Sequence, residues 1–382
     1  MPLSQVDTPA LILELDAFER NLDRMQSLTR AARIALRPHA KAHKTPAIAL
    51  AQLQRGAVGI CCQKVSEALP FVQAGVRDIH ISNEIAGPAK ARMLAAMAQH
   101  ARLSVCVDHP AQVQWLGDAM KNARSGAKPE NASRRLGVLI EIDIGQQRCG
   151  VDSPDGALGL LDALARHPSL HFQGLQAYHG GLQHIRSRTQ RRDAAQRAAA
   201  RTSTYVDALE NAGQACPTVT GGGTGSVEFD CESGVYTEVQ PGSYALMDGD
   251  YGRNETEGPW RFEQSLFIAS AVMSTRQGEA GCRVVVDAGL KSIAVDSGLP
   301  RVWQPGGEPS PFDYTAANDE HGIVQVLDAA RWPLELETRL LLVPSHCDPT
   351  LNLHDQIVCV RAQEAGWHVE CLWPVSARGL SR

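Results

Sequence analysis

Short apolar runs alternate with helix-length amphipathic segments along the first two thirds of the chain. The runs are R-I-A-L-R (33–37), A-V-G-I-C-C (57–62), D-I-H-I-S (78–82), L-S-V-C-V (103–107), G-V-L-I-E-I (137–142), F-Q-G-L-Q-A (172–177), P-T-V-T (217–220) and T-E-V-Q (237–240). Segments such as V-S-E-A-L-P-F-V-Q-A fill most of the gaps. Ahead of the first run, Phe18, Leu22 and Met25 keep helical spacing to Arg33, with Asp16 and Glu19 as a capping pair. Eight strand–helix alternations are what a closed parallel barrel requires, so the expected α/β fold is a (β/α)8 TIM barrel over residues 8–255 rather than an open, doubly wound sheet. After Tyr251 the helical pattern fades. V-V-V-D-A, S-I-A-V-D, G-I-V-Q-V-L, L-L-L-V-P and Q-I-V-C-V-R then read as strands between Gly, Pro and Asp turns. They predict a mainly β domain over 256–382, joined by the first few N-terminal residues.

Composition narrows the partners. The 382 residues are 43% hydrophobic and 21% charged, with a net charge of -5, which excludes a general nucleic-acid or anionic-membrane partner. The dense cationic run R-S-R-T-Q-R-R (186–192) leads into an alanine-rich helix and reads as a solvated face. Ten scattered cysteines include no C-x-x-C pair, so no structural zinc cluster is expected. The N-terminus lacks signal-peptide features and no apolar run reaches membrane length. A cytoplasmic protein with reduced, buried thiols is the expectation.

In such barrels chemistry gathers where strands end. The first strand runs into R-P-H-A-K-A-H-K-T-P (37–46), and strand alternation would place Arg37, His39, Lys41 and His43 on one face and Lys44 on the other. Crowded by other cations and buried, Lys41 would be a neutral amine suited to Schiff-base chemistry; a basic rim that merely binds an anion is the alternative. Pro38, lacking a ladder donor, marks where the strand could stop. After the seventh strand, G-G-G-T-G-S (221–226) offers backbone N–H groups at Gly223 and Gly225 and hydroxyls at Thr224 and Ser226, at the usual phosphate position of a barrel. Gln240, Gly242, Ser243 and Tyr244, in Q-P-G-S-Y after the eighth strand, would complete the cup. A phosphate-bearing aldehyde beside an amine points to pyridoxal 5′-phosphate. In P-S-H-C-D-P-T (344–350), His346 and Asp348 would point the same way from an extended segment and share a divalent metal, Mn²⁺ first, with Zn²⁺, Mg²⁺ or Co²⁺ as alternatives. Two protein ligands leave positions open for water or substrate, and Cys347 between them is the alternative ligand.

Together with I-D-I-G-Q-Q-R-C-G-V (142–151) and D-T-P-A-L-I-L-E-L-D-A (7–17), these motifs make the chain resemble the D-threonine aldolase and D-serine dehydratase group, pyridoxal-phosphate enzymes of the alanine-racemase type (fold type III). The resemblance runs nearly end to end. It implies a head-to-tail homodimer, a Schiff base on Lys41 rather than Lys44, Arg148 near the cofactor ring and Tyr178 packed against it. Tyr178 stands where alanine racemases carry a histidine, which weakens a racemase reading. His-x-Asp at the metal pair resembles the aldolases, and dehydratases show His-x-Cys. The expected activity is therefore metal-dependent cleavage of a small β-hydroxy-D-amino acid to glycine and an aldehyde, with metal-bound hydroxide or His179 as base. A dehydratase releasing ammonia and a 2-oxo acid, and a non-catalytic pyridoxal-phosphate carrier, are the alternatives.

Overall fold

The structure is a computed structural model and describes residues 1–125, 135–278, 281–331, 334–364 and 366–382. All eight expected barrel strands form. They are β2 (Ala35–Leu36), β3 (Ile60–Cys62), β4 (Asp78–Ile81), β5 (Arg102–Val107), β6 (Leu136–Glu141), β7 (Leu170–Ala177), β8 (Thr218–Gly221) and β9 (Glu238–Val239), each paired in parallel with its neighbour. The ring closes between β2 and β3, where Leu36 and Pro38 carbonyls accept from Val58 and Cys61 and His39 bridges Cys61. Helices α2 (Pro46–Gln54), α3 (Val65–Gln73), α4 (Pro88–Met97), α5 (Pro110–Ser125), α6 (Pro154–Ala165), α7 (Arg188–Asn211) and α8 (Val227–Glu232) follow the strands in turn. Their apolar faces and the buried strands share one core, from Ile60 through Val105 and Ile140 to Val219.

The first strand, β1 (Ala10–Glu14), leaves the barrel altogether. It lies antiparallel to β10 (Leu266–Gly278) and parallel to β16 (Gln356–Gln363) in a second sheet. Strands β11 (Gly281–Val286), β12 (Arg301–Val302), β13 (Phe312–Ala317), β14 (Gly322–Val326), β15 (Arg339–Val343) and β17 (Gly366–Pro374) complete that sheet. Helix α1 (Leu15–Ala31) then bridges the two halves, burying Phe18, Leu22 and Met25 in a core that also holds Leu36, Val239, Ile268 and Cys347.

Three local expectations are corrected. Glu14, not Asp16, caps α1, its carboxylate accepting from the Asp16 and Ala17 amides, while Asp16 and Glu19 turn outward to Arg361. S-I-A-V-D (292–296) is a run of turns, not a strand. The cationic run is no solvated face: Arg191 is buried and donates to the carbonyls of Ile185, Arg186, Gly225 and Glu255, so a guanidinium straps the loop after β8 to the segment leaving the barrel. All ten cysteines are free thiols; Cys61, Cys62, Cys106, Cys347 and Cys359 are buried and the other five are half-buried.

Candidate active site

Strand β2 stops before Pro38, and the chain tightens into a single 3-10 turn, Ala40–Ala42, that carries Lys41. Alternation therefore fails past His39, and the basic residues part company. Arg37 runs beneath the barrel to Glu238 (2.9 Å) and Asp78 (2.7 Å). Lys44, at φ 49°, pairs with Glu67. His43 is buried against Phe71, and burial lowers its imidazole to about 3. His39 accepts the Lys41 amide at Nδ1 (3.3 Å), so Nε2–H donates to Ser82 Oγ (2.8 Å). It is held neutral by burial and then by the Lys41 charge.

Lys41 is thus not crowded by cations, as the sequence suggested. Its Nζ lies 2.9 Å from Asp348 Oδ2, with 41% of the side chain exposed. The Asp348 carboxylate raises the amine well above its usual range, outweighing burial, with the Tyr178 phenol acting the same way. Burial alone would raise Asp348, but Lys41 and His346 outweigh it and hold the carboxyl low. In this arrangement the pair is an ion pair, and the amine becomes free only when something else takes the carboxylate.

Asp348 opens α9 (Cys347–Leu351), and His346 is the residue just ahead of it. The segment is a helix start, not the extended strand that alternation assumed. The two side chains nevertheless stay close enough for their charges to act on one another. Cys347 turns into the core and donates to Asp348 Oδ1 (3.4 Å), while its amide donates to Asp248 Oδ2 (2.9 Å). That leaves Asp348 as the accessible ligand. His346 Nδ1 lies 2.7 Å from Asp296 Oδ2, an arrangement that fixes the ring and turns Nε2 outward, as metal-bound histidines are commonly held. Asp296 was hidden inside the run misread as a strand.

The glycine cup sits directly beside the lysine turn. A methyl group at Gly242 would come 2.8 Å from the His39 carbonyl and 3.0 Å from Ala42 Cβ, so only glycine lets the loop after β9 lie against that turn. Thr224 Oγ1 accepts the Tyr244 amide (3.0 Å), joining the two halves of the cup. Among the described residues, the amides of Thr224, Gly242 and Ser243 donate to no protein acceptor, which suits an anion. Gly225 differs from the sequence expectation: its amide and that of Ser226 donate to Gln183 Oε1. Gly223 donates to Ser226 Oγ (3.3 Å). Gln240 lies inside the barrel on Gln176 and Thr220, beneath the cup. The Tyr244 ring is buried in the shared core with its hydroxyl on Gln52, so only its backbone borders the cup.

Arg148 and Tyr178 form the opposite wall, the guanidinium 5.5 Å from the ring centroid. The donor-rich cup, the adjacent amine and this aromatic wall fit pyridoxal phosphate. His179 packs against Gly145 and Gly181, beside the charge of Asp143, and burial lowers its imidazole. A further histidine, His184, which the sequence reading missed, adjoins Asp250 and Tyr251. Its Nδ1 pairs with Asp250, and its ring lies 5.7 Å from that of the half-buried Tyr251, whose phenol feels Tyr178, Asp248 and Asp348. G-G-L-Q-H offered no spacing signal, because the histidine arrives through a 3-10 turn.

Comparison with known proteins agrees with this architecture. Residues 13–249 match the family model described as alanine racemase, N-terminal domain, and residues 265–360 match a putative serine dehydratase domain. A D-threonine aldolase of Arthrobacter sp is 52% identical over 381 residues, covering 100% of this chain and 95% of that protein. A 3-hydroxy-D-aspartate aldolase of Paracoccus denitrificans is 42% identical, covering 99% and 94%. The crystal structure of D-threonine aldolase from Filomicrobium marinum superposes with a TM-score of 0.92 at 46% identity, covering 100% and 98%. No helix among the described residues is long and apolar enough to cross a membrane. On fold, sequence and the layout of the barrel mouth together, the chain belongs to the D-threonine aldolase and D-serine dehydratase family, whose barrel is that of alanine racemase.

Proposed function

We propose that the protein is a pyridoxal-phosphate- and divalent-metal-dependent lyase that splits a β-hydroxy-D-amino acid of the D-threonine kind into glycine and an aldehyde. The observation that carries this is the contact of Lys41 with Asp348, which brings an amine suited to the cofactor and a metal ligand to one point at the barrel mouth. Pyridoxal phosphate supplies, when bound, an electron sink for the pair left on Cα. A divalent metal, Mn²⁺ first, supplies a Lewis acid at the β-hydroxyl.

Lys41 would hold the cofactor covalently, and the amides of Thr224, Gly242 and Ser243 its phosphate. Arg148 and Tyr178 would border its ring. His346 Nε2 and Asp348 would hold the metal, with Asp296 keeping the imidazole in the right tautomer. Were Asp348 engaged by a metal, it would no longer hold Lys41 charged, which would leave the amine available to the cofactor. His184, whose Nδ1 pairs with Asp250, would serve in place of His179 as the base that takes the β-hydroxyl proton. Departure of that proton and cleavage of Cα–Cβ release the aldehyde; protonation at Cα then gives glycine.

A head-to-tail homodimer is part of the proposal. An open cleft of about 1180 Å³, lined by Thr224, Tyr251, Trp260 and Trp303, borders the cup. A cytoplasmic setting is supported by ten free thiols. The deciding assay supplies the protein with pyridoxal phosphate, Mn²⁺ and D-threonine. Acetaldehyde and glycine are expected; ammonia with 2-oxobutanoate would identify a dehydratase, and no turnover of any β-hydroxy-D-amino acid would identify a carrier.

A further inference from the structure

The barrel mouth carries a second group of ligands that the proposed reaction does not use. Glu84 follows β4, Asp108 follows β5, Glu141 ends β6, and Cys149 lies in the loop beyond it. Since β4, β5 and β6 are neighbours in the ring, their following loops converge. One oxygen each of Glu84 and Asp108 and the Cys149 sulfur lie within 4.8 Å of one another, on half-buried residues that an ion can reach. Behind them Glu141, 3% exposed, turns Oε1 toward Arg148 (3.5 Å), and its Oε2 has no hydrogen-bond partner. Glu84 Oε1 is likewise buried and unpartnered, and the two carboxyl groups face each other. Asp108 accepts from Gln112 Nε2 (2.9 Å) and the Gly150 amide (3.0 Å), which fix it with lone pairs to spare.

Three carboxyl groups against one guanidinium leave a deficit of positive charge in a half-dry place. A proton shared between Glu84 and Glu141 and a Cys149 thiol hydrogen-bonded to Glu84 would satisfy these oxygens, but neither gives a reason for Asp108 to turn its spare lone pairs to the same point. A divalent ion and Arg148 together offset three of the four negative charges that Glu84, Asp108, Glu141 and a metal-bound Cys149 thiolate would carry, and a proton kept on the buried Glu141 offsets the fourth.

We propose that Glu84, Asp108 and Cys149, backed by Glu141, form a binding site for a second divalent metal ion, of the borderline-soft kind that accepts carboxylate and sulfur together, Zn²⁺ above all. The site is separate from His346 and Asp348 and does not depend on the reaction assigned to them.

The test titrates Zn²⁺, then Co²⁺, into chelator-treated full-length protein, reading heat and absorbance, with circular dichroism to check folding. Expected are two Zn²⁺ equivalents per chain for the unaltered protein and one for Glu84→Gln or Cys149→Ser. A sulfur-to-cobalt charge-transfer band should survive His346→Ala and vanish in Cys149→Ser. A single equivalent that His346→Ala abolishes would overturn the proposal. So would a second equivalent indifferent to both Glu84→Gln and Cys149→Ser, or a cobalt band that persists in Cys149→Ser and so belongs to Cys347. If no second equivalent binds and an infrared band of a neutral carboxylic acid disappears in Glu84→Gln, the shared proton is the answer instead. Should Cys149→Ser fail to fold, the near-isosteric Glu84→Gln carries the stoichiometric test alone.

Discussion

Asp230 shows how a single buried carboxyl constrains the glycine cup. It accepts from Ser226 Oγ (2.6 Å) and occupies the space where a side chain at Gly222 (φ 70°) would project. Burial lifts it to about 7 from the ordinary aspartate value of 3.8, with the Ser226 hydrogen bond pulling the other way. Between those two pH values the unfolded chain has lost the proton and the folded protein keeps it, so stability falls as pH rises through this window, by up to about 4 kcal/mol. Asp230→Asn should remove that component, flattening the pH dependence of the urea midpoint relative to the unaltered protein. Equal slopes would show that the carboxyl does not titrate this way. A second prediction separates the histidines. His184→Ala should lower kcat by about 10²–10³-fold, within the usual range for losing a general base. His179→Ala should cost less than about tenfold. The reverse ranking would restore the base suggested by the sequence. Residue identities at the barrel mouth were legible because apolar runs ended on them; partners were not. Nothing in the spacing ties Lys41 to Asp348, a contact that crosses between the barrel and the C-terminal domain, or His346 to Asp296, a contact between two turns of that domain.

At the scale of elements, the eight strands were readable because buried parallel strands are continuous apolar runs. The departures arose where chain geometry changed within a motif. Pro38 ends β2, so the lysine rides a 3-10 turn and its neighbours scatter to Glu238, Ser82 and Glu67. Likewise the proposed metal pair sits at a helix start, and S-I-A-V-D had β-branched residues without a ladder partner. The lysine turn depends on the loop after β9 for its position. Gly242→Ala would push a methyl group against the His39 carbonyl, and the turn must shift to admit it. We expect kcat/KM to fall about 10²-fold from misplacement of the amine, with about 1–3 kcal/mol lost from stability by overpacking. Steady-state kinetics with urea unfolding checks both; unchanged kinetics beside lowered stability would mean that the turn does not place Lys41.

Across the whole molecule, the site exists because the two sheets are clasped. The β1 strand joins the C-terminal sheet before α1 enters the barrel. At the other end, the Ala377 amide donates to the Lys44 carbonyl (3.0 Å) and Ser66 binds the Arg382 carbonyl (2.6 Å). These contacts lock α9 over the lysine turn, which is why a residue near position 40 meets one near 350. The change of texture after Tyr251 announced a second domain and the candidate metal pair within it, but not that Asp348 would meet Lys41. Everything rests on Lys41 being the residue joined to the cofactor. The most direct measurement is borohydride reduction of the protein loaded with pyridoxal phosphate, followed by peptide mass mapping. The account predicts a single phosphopyridoxyl adduct on Lys41, absent from Lys41→Ala; an adduct on Lys44, or one that persists elsewhere in Lys41→Ala, would contradict it.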